Sequence, residues 1–112
     1  MLTLFQAEWC PFSAAVRERL TELGVDFVAR QVPPWPEQRE ELEKLAGTDE
    51  IPTLQTEDGE FFSGTRHILE YLATLPPGRY EDEHRGRYAE HADARQIDAT
   101  GRILEKAAST RS

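Results

Sequence analysis

A chain of 112 residues has room for one domain with one hydrophobic core, which sets aside a two-domain enzyme. Hydrophobic residues make up 38% and charged residues 30%, and no apolar run approaches the roughly 18 residues of a membrane span, so no membrane partner is expected. The net charge of -8, with Lys and Arg scattered among the carboxylates, opposes nucleic-acid binding, which draws on clustered cations. Met1 to Phe5 lack the basic start and apolar stretch of a secretory signal, so a cytoplasmic location is expected.

In chain order, residues 2 to 7 (Leu-Thr-Leu-Phe-Gln-Ala) predict a short strand. Pro11 suits the first turn of a helix, since its missing N–H costs nothing there. Val16, Leu20 and Leu23 then recur at helical spacing, and Gly24 supplies a stop. Val25 to Val32 reads as a second strand, ended by Pro33-Pro34-Trp35-Pro36. Glu37 to Leu45 predicts a short acidic helix with Leu42 and Leu45 on one face, closed by Gly47. Ile51-Pro52-Thr53-Leu54 and Glu60-Phe61-Phe62 flank an Asp58-Gly59 turn and predict a hairpin. Ser63-Gly64-Thr65 opens a helix with Ile68, Leu69 and Leu72 as its core stripe. The order is β-α-β-α-β-β-α. Pro76-Pro77-Gly78 ends it, so residues 1–76 are expected as the domain and 77–112 as a charged, helical extension with sparse apolar positions at Tyr88, Ile97, Ile103 and Leu104.

The chemistry-bearing segment is Trp9-Cys10-Pro11-Phe12-Ser13. Cys10 is the sole cysteine, so any disulfide forms with another molecule. A thiol at a helix N-terminus meets unpaired backbone N–H groups and the positive end of the helix dipole, which stabilise the thiolate and lower its pKa from about 8.5. Ser13, one turn on, is placed to donate a hydrogen bond to the sulfur, and Phe12 to cover one side. Trp9 and Trp35 are expected as packing or site-covering residues. Ile51-Pro52 opens a strand, where an ordinary strand-start proline is the bland alternative to a cis bond. The N–H groups at Ser63-Gly64-Thr65 suit a carboxylate, although taken in isolation a plain helix cap is the favoured reading. His67, His84 and His91 form no familiar metal set, and no metal is expected.

Together, Cys10-Pro11-Phe12-Ser13, Ile51-Pro52 and Ser63-Gly64-Thr65 resemble the glutaredoxin family and the N-terminal domain of glutathione S-transferases across about residues 2–75. The resemblance implies a thioredoxin-like α/β fold with a mixed four-stranded sheet flanked by helices. It implies a one-cysteine site with Cys10 as nucleophile and Ser13 beside it, and a glutathione site including Pro11, Phe12, the backbone of Ile51 at a cis Pro52, and Gly64, Thr65 and Arg66. Thr65 falls where those families hold the γ-glutamyl carboxylate.

Three positions depart from the pattern: Ala7 stands where glutaredoxins usually carry a lysine, Gly64 where transferases carry an acidic residue, and Arg66 where glutaredoxins commonly carry an aspartate. Arg39, Gln38 or Arg66 would have to compensate for the lysine. The function implied is a glutathione-dependent thiol–disulfide oxidoreductase that reduces protein–glutathione mixed disulfides, with glutathione or a similar small thiol as co-substrate and glutathionylated proteins as partners. The alternatives are an iron–sulfur cluster held by two chains with glutathione, which Pro11 in place of glycine disfavours, and a non-catalytic adaptor acting through the tail.

Overall fold

The computed structural model describes residues 1–91 and the backbone of 96–97 and 103–104. Its first compact unit, Met1–Glu81, contains a four-stranded mixed sheet in the order β2-β1-β3-β4. β1 (Leu2–Gln6) is central, with Leu2, Leu4, Phe5 and Gln6 buried, as expected of a strand covered on both faces. It pairs in parallel with β2 (Phe27–Gln31) and antiparallel with β3 (Thr53–Gln55). β3 forms the expected hairpin with β4 (Phe61–Ser63), turning at Gly59 with φ 89°. β2 is an exposed edge on which only Phe27 is half-buried.

α1 (Pro11–Leu23) turns Ser13, Val16, Leu20 and Leu23 inward. It ends at Gly24, whose φ of 70° lets its N–H and that of Val25 cap the Thr21 and Leu20 carbonyls. α3 (Thr65–Leu72) packs against α1 and buries Ile68 and Leu72. The resulting core joins Leu2, Leu4, Val16, Leu20, Leu23, Leu54, Ile68 and Leu72, with Phe62 stacked on Tyr71 at its margin (ring centroids 4.7 Å apart).

The segment after β2 differs from the single helix expected over 37–45. A 3-10 turn at Pro36–Gln38 precedes α2 (Glu40–Ala46), and Arg39 breaks the two with φ -91° and ψ 52°. The cause is the Arg39 side chain, which turns inward and donates from Nε to Pro33 O (2.9 Å), from Nη1 to Asp49 O (2.8 Å) and from Nη2 to Pro34 O (3.1 Å). α2 has seven residues and buries Leu42, whereas Leu45, expected on the same face, is 48% exposed. Trp9 and Trp35 do not pack inside; both are exposed.

Beyond α3, Gly78 lies against the end of α1: a Cβ on it would sit 2.0 Å from Glu22 O and 2.7 Å from Leu23 Cα. Arg19 joins Glu22 and Glu81 at 2.9 and 2.8 Å, fastening the same corner. The second unit, Asp82–Ser112, contains most of α4 (Glu81–Glu90), which buries no residue, and a two-residue antiparallel pairing of β5 (Gln96–Ile97) with β6 (Ile103–Leu104). A second tail helix, and the apolar side chains expected at Ile97, Ile103 and Leu104, fall outside the described residues. Among the described residues no helix is long and apolar enough to cross a membrane.

Candidate functional site

The register of the sheet brings three separate segments to one end of it. Phe5 pairs with Thr53, so the loop leaving β1 and the residues entering β3 lie side by side, and Thr53 pairs with Ser63, which brings the start of α3 alongside. Cys10 follows the first, Pro52 precedes the second, and Gly64-Thr65 follows the third.

Cys10 is the N-cap of α1, in extended backbone geometry (φ -81°, ψ 117°), with Pro11 in the first turn. Its sulfur accepts a hydrogen bond from the Ser13 N–H at 3.4 Å, and its carbonyl accepts the first helical bond, from Ala14. The Cys10 N–H donates back to Ala7 O at 3.1 Å, closing the loop between strand and helix. Ser13 is fully buried, and its Oγ accepts from the Ala7 N–H at 3.5 Å. Cys10 is 5% exposed, while Trp9 and Phe12 on either side of it in the chain are 64% and 62% exposed.

Burial of the sulfur disfavours the thiolate and pushes its pKa up. The Ser13 hydroxyl, the Ser13 and Phe12 N–H groups and the Arg17 charge act the other way, and together they outweigh burial and set the pKa below the ordinary thiol value. Donors aimed at the sulfur are worth most where water is scarce.

The Ile51–Pro52 peptide is cis, and Pro52 is fully buried with Ile51 half-buried. Pro52 O accepts the Gly64 N–H at 2.9 Å, which locks the proline turn to the start of α3. Thr53 Oγ1 donates to Glu50 O (2.7 Å) and meets Ser63 Oγ (2.9 Å), so the same junction is tied a second time. The N-cap of α3 is Gly64, and no side-chain hydrogen bond caps this helix, whose first turn begins at half-buried Thr65.

Gly64 has φ 87° and ψ 147°, a conformation that suits glycine almost alone. A Cβ there would meet Glu50 Oε2 at 3.0 Å. The acidic residue absent from position 64 therefore has a carboxylate neighbour from another segment, for which the sequence gives no signal. Arg66 is exposed and directs Nη2 to the His67 ring (3.4 Å), while His67 Nδ1–H donates to Ser63 O (3.0 Å). Arg39 is committed to its three carbonyls. A hollow of about 510 Å³ borders α2, walled by Glu37, Arg39, Glu43 and Asp49, and no residue of the Cys10 junction lines it. Among the described residues no group of three or more His, Cys, Asp or Glu is arranged for a metal ion.

A four-stranded mixed sheet, a cysteine capping the first helix and a cis-proline at the adjoining strand define a thioredoxin-like domain. Residues 4–80 match the family model described as the glutathione S-transferase N-terminal domain, and the chain belongs to that family. Among solved structures it is similar to a glutathione S-transferase from Methylobacillus flagellatus with glutathione bound (27% identity, 69% of this chain and 38% of that one, TM-score 0.59). It is also similar to isozyme E7 of Drosophila melanogaster (26% identity, 66% and 34%, TM-score 0.59) and to a diazinon-metabolizing transferase of the silkworm Bombyx mori (28% identity, 65% and 37%, TM-score 0.58). The chain spans about a third to a half of the length of the transferases it matches. Comparison with curated proteins gives no match.

Proposed function

We propose that the domain binds glutathione and uses Cys10 for thiol–disulfide exchange, as a glutathione-dependent oxidoreductase acting in the cytoplasm on glutathionylated proteins. The observation that carries this reading is the Cys10 sulfur at the start of α1, accepting from the Ser13 N–H with its pKa held low. The Cys10 thiolate attacks the glutathione sulfur of a mixed disulfide; the old S–S bond breaks, and the protein leaves as its thiolate and takes up a proton. The thiolate of a second glutathione attacks the glutathione sulfur of the new Cys10 disulfide, releasing glutathione disulfide and restoring the Cys10 thiolate. One cysteine suffices for both steps. In this reading the uncapped start of α3, with Thr65 and Gly64, receives the γ-glutamyl carboxylate, the Ile51 backbone pairs with the cysteinyl peptide, and Pro11 and Phe12 form the wall beside the sulfur.

The test is reduction of a glutathionylated peptide by wild type and Cys10→Ser, with intact mass recorded after exposure to glutathione disulfide. A single glutathione adduct on wild type and loss of more than about 100-fold in the variant is expected, since the nucleophile itself is removed. An unchanged rate in Cys10→Ser would sink the reading. The family match favours a second activity, conjugation of glutathione to an electrophile. Conjugation of chlorodinitrobenzene that survives in Cys10→Ser, with exchange absent from both proteins, would transfer the assignment to it.

A further inference from the structure

Arg17 has no part in the exchange scheme above, yet its guanidinium is held by Gln6 on β1 and by Glu8 in the loop that leads to Cys10. Arg17 lies on α1 seven residues after the N-cap Cys10, about two helical turns, and a helical side chain leans toward the N-terminus, the end that Cys10 caps. Arg17 Nη1 donates to Oε1 of Gln6, a residue with no solvent exposure whose Nε2 is in turn engaged by Gln31 Oε1 at 3.1 Å. The amide of Gln6 is thereby fixed as an acceptor toward Arg17. On its other side, Arg17 Nη2 lies 3.1 Å from Glu8 Oε1, and that carboxylate is 77% exposed. The guanidinium thus has one buried neutral anchor and one solvated anionic partner, two residues ahead of Cys10 in the chain.

The charged or titratable groups on the elements around Cys10 are Arg17 on α1, Glu8 in the loop before it, Glu50 before Pro52, and Arg66 and His67 at the start of α3. Glu50 lies against Gly64, and Arg66 and His67 contact each other. Arg17 is the charged side chain that acts on the sulfur, in the sense that stabilises the thiolate.

We propose that Arg17 is a positioning residue for the exchange reaction, held by Gln6 so that its charge faces the Cys10 sulfur, with Glu8 as a competing anion that sets how much of that charge the sulfur receives. The inference rests on the reading of Cys10 as the nucleophile. Arg17 makes no contact with the reacting atoms; it acts by keeping charge near them, in a setting where Glu8 is free to exchange with solvent ions.

The experiment uses the full chain and follows thiolate absorbance against pH, together with the rate of alkylation by iodoacetamide. Arg17→Gln keeps an N–H donor for Gln6 and removes the charge, whereas Arg17→Lys keeps the charge. Arg17→Gln is expected to move the titration to higher pH and to slow alkylation near pH 6.5 by roughly two- to fivefold, the factor one partly solvated charge contact carries. Arg17→Lys restores most of it. Glu8→Gln moves the titration to lower pH, and has no effect when Arg17→Gln is already present. Salt at about 1 M shrinks all three differences.

A wild-type titration in Arg17→Gln, failure of Arg17→Lys to restore it, or an equal Glu8→Gln shift with and without Arg17 would each overturn the proposal. If Arg17→Gln does not fold, Arg17→Met takes its place in the same comparison with Glu8→Gln: a Glu8→Gln shift that disappears in Arg17→Met supports the proposal, and one that persists overturns it. A wild-type Cys10 that titrates near 8.5 and takes up no glutathione would overturn the exchange reading itself, and this proposal with it.

Discussion

Desolvation alone would make Cys10 a poor nucleophile, and the sign is reversed by the residues around the sulfur. Ser13 provides two of the opposing contributions, through its hydroxyl and its N–H, so Ser13→Ala is expected to raise the thiol pKa and slow alkylation below neutral pH while leaving the backbone bond in place. The same shift links the thiol to folding. A group whose folded pKa is depressed adds stability that is fully present above its unfolded pKa and is lost as pH falls through the folded one. The stability difference between wild type and Cys10→Ala should therefore grow as pH rises from the folded pKa toward about 8.5 and level off above it, which urea unfolding at a series of pH values would check. A flat difference would mean that the thiol titrates alike in both states. Cys10, Pro11 and Ser13 were legible as a candidate site because strand, cysteine, proline and helix follow one another directly. Arg17 was not, because its relevance comes from a buried glutamine on β1 that the helical pattern does not mention.

Among the elements, the expected order was legible through the hairpin and α3, since each has its own apolar period and stop residue. The break before α2 was not, because a charged residue in a polar stretch reads as solvated. Arg39 is instead 6% exposed and spans three carbonyls from two separate segments. Arg39→Met should cost about 1–3 kcal/mol in chemical denaturation, the range for acceptors left unpaired. The junction at α3 gives a second expectation. Gly64→Glu, which would install the acidic residue common in transferases, forces a side chain into glycine's backbone region and against the Glu50 carboxylate. It should destabilise the fold by about 1–3 kcal/mol, and a stable variant that binds glutathione more tightly would contradict this.

On the scale of the molecule, one core carries the Met1–Glu81 unit, and Leu54 lies at its centre with no exposure. Leu54→Ala should cost about 2–5 kcal/mol in a single cooperative transition. Within that unit Cys10 is buried, while its neighbours in the chain, Trp9 and Phe12, are exposed. The backbone pairing of β5 with β6 was not legible in the sequence, because two-residue strands leave no periodic trace.

Gly78 fixes how the chain passes the end of α1. Its backbone rests on Glu22 and Leu23, at the far end of the 13-residue α1 from Cys10, a separation of about 20 Å along the helix axis. A fluorophore placed at Arg79 would therefore report on the end of α1 remote from the sulfur.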